Sequence, residues 1–354
     1  MATIPTPSTV RKTAAKKSKK RPSPPQGKVV ALTGVRSFLG RRLLQHLERD
    51  PSCRQIVALD VEMPNLKTDK TTFYRTDLTE PTIDSDIAEI LKREGVDTVV
   101  HLAFLSKPSH NPSYAHELEN IGTMYVLNAC AEAKIRKFLL GSSTLVYGAN
   151  PLNPNYLTES HPVRYRDDSR FIRDKVEAEL QTRRYMNDAK ERITTVLRPC
   201  VTIGPTIDNF ATRFLSRRIV PNMMGYDPLV QFLHEEDLVA AFKLAIDNDV
   251  RGEFNLVGDG VMALSTVFAL TGALSLPVPY FAAHAILNLA WAAELADLPP
   301  AFLDLLRYLC VADGSRAKRE LDFTPEHSSK ETLLDFIQTQ RLRRIHMPGT
   351  EMTL

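Results

Sequence analysis

Short apolar runs alternate with longer segments in which apolar positions recur every three or four residues, and this rhythm holds from residue 28 to about residue 200. Lys28-Val29-Val30-Ala31-Leu32-Thr33, Gln55-Ile56-Val57-Ala58-Leu59, Thr72–Leu78, Val96–Ala103, Lys137–Ser142 and Ile193–Pro199 read as strands. The segments near 41–47, 83–94, 112–134 and 171–187 read as helices. Such alternation predicts an α/β fold with a doubly wound parallel sheet, complete by about residue 200. Beyond it the rhythm loosens. Residues 205–232 mix prolines, glycines and short apolar runs, and Gly252–Gly258 stands as a lone late strand. The expected organisation is a Rossmann-type domain over 28–200, a smaller, mainly substrate-binding lobe over 201–340 above the carboxyl ends of the strands, and a tail from 341 to 354.

The first predicted strand runs into Gly34-Val35-Arg36-Ser37-Phe38-Leu39-Gly40, and the second stops on Asp60. A glycine turn opening a helix lets backbone N–H groups face a pyrophosphate, and an acid at the end of the next strand reaches ribose hydroxyls. Asp60 favours NAD over NADP, because a carboxylate repels a 2′-phosphate. The fingerprint's middle glycine is replaced by Ser37.

Composition and charge narrow the picture. A net charge of +3 conceals a basic segment over residues 1–27 that holds seven cations and no acid. Without it the body is near −4 and has no electrostatic case for nucleic acid. The segment is predicted to be disordered, as either a solubilising extension or a nuclear address at Lys16–Arg21. Cys53, Cys130, Cys200 and Cys310 lie far apart with no CxxC pair, so neither a zinc site nor a disulfide framework is indicated, and a cytoplasmic protein with reduced thiols is expected. The apolar stretch Phe281–Leu295 contains His284, Asn288 and Glu294 and falls short of the roughly 20 residues of a membrane span. It reads as a buried or substrate-covering helix, with an interfacial helix admitting a lipid-like substrate as the alternative.

An ordered set of strand ends carries a resemblance. Thr33-Gly34 to Gly40, Asp60, Asp77-Leu78, His101-Leu102-Ala103, Ser142-Ser143 to Val146-Tyr147-Gly148, Lys175 with Glu179, and Leu197-Arg198-Pro199 occur in sequence. Over about residues 28–335 the chain resembles the extended short-chain dehydrogenase/reductases, the NAD-dependent epimerase/dehydratase group. Its closing section, residues 313–325 with the apolar 276–299 region, is similar also to the 3β-hydroxysteroid dehydrogenase branch. The resemblance implies cofactor contacts from Thr33, Gly34, Ser37, Phe38, Leu39, Gly40, Asp60, Asp77, Leu78, Leu102, Ala103 and Lys175, with His101 near the pyrophosphate. It implies a serine role for Ser143, a lysine role for Lys175, a sugar-nucleotide or sterol-like small-molecule substrate, and a homodimer formed through the helices near 112–134 and 171–187. The group's proton-transferring tyrosine should stand four residues before Lys175, where this chain has Phe171. A benzene ring cannot move a proton, so two functions stay open: an enzyme with Tyr165, water or substrate as the acid, or a cofactor-binding sensor or scaffold with little turnover.

Overall fold

The computed structural model describes residues 27–164 and 169–346; the basic segment ahead of Gly27 and the candidate acid Tyr165 lie outside the described residues. Seven parallel strands form the central sheet: β1 (Lys28–Thr33), β2 (Cys53–Asp60), β3 (Thr71–Arg75), β4 (Thr98–His101), β5 (Lys137–Gly141), β6 (Ile193–Pro199) and β7 (Gly252–Leu256). Their spatial order is β7-β6-β5-β4-β1-β2-β3, which puts β1 at the centre between β2 and β4. The expectation of a sheet complete by residue 200 is corrected by β7, which pairs in parallel with β6 from Gly252 opposite Thr195 to Leu256 opposite Pro199. A helix, Glu235–Asp247, does precede this strand, but more than fifty residues separate it from its partner β6, and that excursion hides the pairing.

Because successive side chains on a strand face opposite ways, β1 feeds two cores. Val30 and Leu32 pack with α1 (Phe38–Arg49) on one face, whereas Val29 and Ala31 pack with α2 (Ile83–Glu94) on the other. Helix α1 buries Gly40, Leu43, Leu44 and Leu47, a single helical stripe, and Gly95 at positive φ ends α2. Helix α3 runs from Pro112 to Glu132 and contains a π-helical turn over Glu117–Ile121. It lies beside α4 (Arg170–Asp188), and α5 (Glu235–Asp247) joins α1 on the first face.

The rest of the C-terminal half makes small strand pairs, Val201–Ile203 with Phe232–His234 and Ile219–Met223 with Leu274–Val278. The apolar stretch forms helix Tyr280–Ala292, in which only Ala283 is buried. Phe281, Ile286 and Leu289 are 77 %, 65 % and 72 % exposed, which corrects the expectation of a buried helix. No helix among the described residues is long and apolar enough to cross a membrane. The final helix, Ser329–His346, carries regular structure past residue 340.

Candidate active site

At the carboxyl ends of β1, β2, β4 and β5 lies a cleft of about 670 Å³. Its floor begins at the turn between β1 and α1. Gly34 has φ +70°, and a Cβ there would stand 2.5 Å from the Leu102 carbonyl oxygen; a Cβ on Gly40 would stand 2.2 Å from that of Gly34. Only glycine lets the turn press against the end of β4 while α1 starts behind it. Ser37 needs no positive φ. It is the N-cap of α1 in extended conformation, and its Oγ accepts from Gly40 N at 3.0 Å. The missing middle glycine therefore costs the backbone nothing.

Gly34, Ser37, Phe38, Leu39, Asp60, Asp77, Leu78, Leu102, Ala103, Ser143 and Lys175 all line the cleft. Thr33 and Gly40 stand behind its wall. Thr33 Oγ1 lies 2.7 Å from His101 Nδ1 and accepts from Leu102 N, so it ties β1 to β4. His101 is fully buried, with its other ring nitrogen 3.0 Å from Thr123 Oγ1, and burial lowers its pKa to about 3. This corrects the expectation of His101 near a pyrophosphate: it is a neutral imidazole joining β4 to α3.

The polar groups along the cleft suit a dinucleotide. Asp60 accepts from Val61 N at 2.7 Å and Arg36 N at 3.1 Å, which points its carboxylate along the turn where a ribose would lie. Asp77 accepts from the backbone and hydroxyl of Thr79, the turn-forming role available to any strand-terminal acid. Ser143 Oγ accepts from Leu145 N at 3.2 Å and keeps its own proton to donate.

Phe171 and Lys175 stand one turn apart on α4. The Phe171 ring, 7 % exposed, packs with Leu145, Val146 and Phe302 while one side borders the cleft. Lys175 Nζ lies 4.3 Å from the centre of that ring and 4.9 Å from that of Phe104. It donates to Glu119 Oε1 at 3.0 Å. Glu119 comes from the π turn of α3, also accepts from Leu105 N, and is 1 % exposed; burial pushes its pKa up and the Lys175 cation opposes that rise. Asp174 turns away from the cleft to His116, 2.8 Å distant.

Sequence reasoning missed Glu119 and the network beneath the Ser142-Ser143 loop. Arg198 and Glu179 are both fully buried, and Arg198 Nε lies 3.1 Å from each Glu179 oxygen. Ser142 Oγ donates to Glu179 at 2.7 Å, and Arg198 donates to the Tyr147 hydroxyl at 2.7 Å, which donates in turn to Asn255 on β7. Glu179, Arg198 and Tyr147 each stood in a recognisable motif, but their mutual contact had no local signal. Burial raises Cys53 to about 11 and Cys200 and Cys310 to about 12, so these thiols stay protonated and Cys200 lines the cleft as a small apolar side chain.

A second cavity, of about 390 Å³, adjoins the cleft and shares Leu145, Cys200, Val201 and Phe210 with it. Phe210 and Phe302 meet edge to face where the cavity borders the core around Phe171.

Comparison with known proteins gives this architecture its context. An uncharacterized protein of Mycobacterium tuberculosis is 31 % identical over 332 residues, covering 92 % of this chain and 87 % of that protein. The N-acetyl-alpha-D-glucosaminyl-diphospho-ditrans,octacis-undecaprenol 4-epimerase of Escherichia coli O157:H7 is 29 % identical over 177 residues, 49 % of each chain. The crystal structure of a dTDP-glucose 4,6-dehydratase from Streptomyces venezuelae with NAD bound shares the fold, with TM-score 0.66 and 20 % identity over 91 % of this chain and 100 % of that one. Residues 30–257, from β1 to the end of β7, match the pattern of one family, and the chain belongs to it: the NAD dependent epimerase/dehydratase family.

Proposed function

We propose that this protein binds NAD(H) in the cleft and passes hydride between nicotinamide and an alcohol or carbonyl carbon of a second ligand, without a helix phenol to move the accompanying proton. The observation that carries this reading is Phe171 beside Lys175: the cleft keeps the cation and the serine of the family's chemistry, but a hydrocarbon ring stands at the proton-transfer position. Bound NAD+ supplies the hydride acceptor. In the oxidising direction the alcohol C–H bond gives its electron pair as hydride, the O–H proton leaves to water in the open cleft, and the C=O bond forms. Ser143 donates a hydrogen bond to the reacting oxygen, and Asp60 selects NAD over NADP by repelling a 2′-phosphate. Losing positioned acid–base catalysis costs about 10²- to 10⁴-fold, so turnover is slow.

Calorimetric titration with NAD+, NADH and their 2′-phosphorylated forms tests this. Tighter binding of the unphosphorylated pair is expected; binding of none of the four overturns the proposal. The Lys175–Glu119 ion pair favours a second reading, a cofactor-binding sensor without turnover, since Glu119 competes for the cation that would hold the ribose. Single-turnover NADH formation with a panel of alcohols separates the two.

A further inference from the structure

We infer that the second cavity receives the hydrocarbon body of an uncharged lipid alcohol or ketone and presents its oxygen to the cofactor cleft. This substrate class rests on the hydride-transfer reading above. The cavity lies in the right place, because the residues it shares with the cleft include Leu145, two positions beyond Ser143. Its size falls within the range of small-molecule sites, about 300–1,000 Å³. Its walls are mainly hydrocarbon, built by Phe214, Leu264, Leu287, Phe302, Leu303 and Leu306 among others, with the Thr144 and Tyr308 hydroxyls among the few polar groups.

Charge decides against a nucleoside diphosphate in this space. Among the described residues, the charged side chains that line it are Arg217 and Asp297, and these pair with each other at 3.6 Å. Gln231 is committed as well: its side chain donates to the Gly258 carbonyl and accepts from Ala312 N. A diphosphate needs unengaged cations or a cluster of amides, and burying one without them costs several kcal/mol or more. A lipid alcohol asks for none of these and gains about 25 cal/mol for each Å² of apolar surface it buries.

The helix Tyr280–Ala292 supplies an independent argument. Its Leu287 and Ala290 line the cavity, while Phe281, Ile286 and Leu289 face solvent. Leu295 both lines the cavity and is 83 % exposed, so the cavity reaches the surface among apolar side chains. Apart from the exposed His284 and Asn288, the outer face of this helix is apolar, and an exposed apolar patch marks a surface that meets an apolar partner. With the cavity directly behind, that partner is the ligand on its way in.

The test uses the full-length protein with farnesol and pregnenolone as linear and fused-ring probes and UDP-glucose as the polar counterpart. Trp291, the chain's single tryptophan, sits on this helix with its ring 3.9 Å from that of His110, and its emission reports occupancy. Saturable change with either alcohol is expected, at least tenfold weakened by Ala290→Phe, which fills the cavity from a half-buried helix position, with NAD(H) affinity unaltered. Response to farnesol alone identifies a linear body and to pregnenolone alone a ring body, and either supports the inference. Normal NAD(H) binding with no response to either alcohol, or calorimetric binding of UDP-glucose that Ala290→Phe abolishes, overturns the inference and leaves the cofactor reading standing. Absence of NAD(H) binding overturns the cofactor reading instead.

Discussion

Truncating Glu179 to alanine would strand a buried cation under the serine loop. Arg198 and Glu179 are both 0 % exposed, and the carboxylate also accepts from Ser142. Breaking a buried ion pair by removing one partner costs about 3–5 kcal/mol, and the orphaned Ser142 hydroxyl adds about 1 kcal/mol more. Arg183, 3.5 Å from Glu179, adds little to this loss, since its 2.8 Å partner Glu253 remains. For a folded body of roughly 320 residues, about 2.1 cal/mol/K each, the unfolding entropy near the midpoint is about 0.7 kcal/mol/K, so a loss of about 5 kcal/mol lowers Tm by about 7 °C. Differential scanning calorimetry and urea unfolding measure it. The Glu179→Ala/Arg198→Met double variant removes the charge as well, and recovery of most of the loss is expected. A single variant within about 1 °C of the parent, or a double variant no more stable than the single, would refute the claim that an uncompensated Arg198 charge is the cost.

Other consequences follow from the same geometry. Phe171→Tyr places a phenol beside the Lys175 cation and should raise single-turnover NADH formation about 10²- to 10⁴-fold, about 3–5 kcal/mol of barrier; an unchanged rate with intact NAD(H) binding would show that the site is not merely disarmed. Asp60→Ser removes the carboxylate that repels a 2′-phosphate and should narrow the NAD(H) to NADP(H) affinity ratio about tenfold or more by calorimetry, which an unaltered ratio would contradict. His101 is held neutral down to about pH 3, whereas the unfolded imidazole protonates near 6.5. Its folded pKa being the lower, its contribution is complete above pH 6.5 and drains away as pH falls toward 3, by about 1.4 kcal/mol per pH unit for one proton. Urea unfolding of His101→Gln should therefore show a shallower decline over that window, and parallel profiles would sink the assignment.

Much of the nucleotide-binding half was legible in the chain. The helix boundaries 83–94 and 171–187 predicted from periodicity lie within a residue of Ile83–Glu94 and Arg170–Asp188, because each segment's apolar stripe is a local property. The glycine turn and Asp60 were legible for the same reason. His101 was misplaced because a strand-end imidazole looks alike whether it faces a cleft or a neighbouring threonine. Of the two readings of the 281–295 stretch, buried or substrate-covering, burial failed because composition reports how hydrocarbon-rich a helix is, not which of its faces has a partner.

Residue order by itself determined the alternation of strand and helix, the turn that only glycines can make at positions 34 and 40, and the phenylalanine four residues before Lys175, where the resemblance implies a tyrosine. Those are consequences of side-chain shape and short-range spacing. Tertiary structure alone decided that residues 252–256 close the sheet, that Glu119 takes the Lys175 cation, that Arg198 and Glu179 meet in the dry interior, and that segments from Thr144 to Cys310 enclose one hydrocarbon-lined cavity. Each joins groups separated by tens of residues or more, and only the packing of the whole sheet and its covering helices brings them within bonding distance.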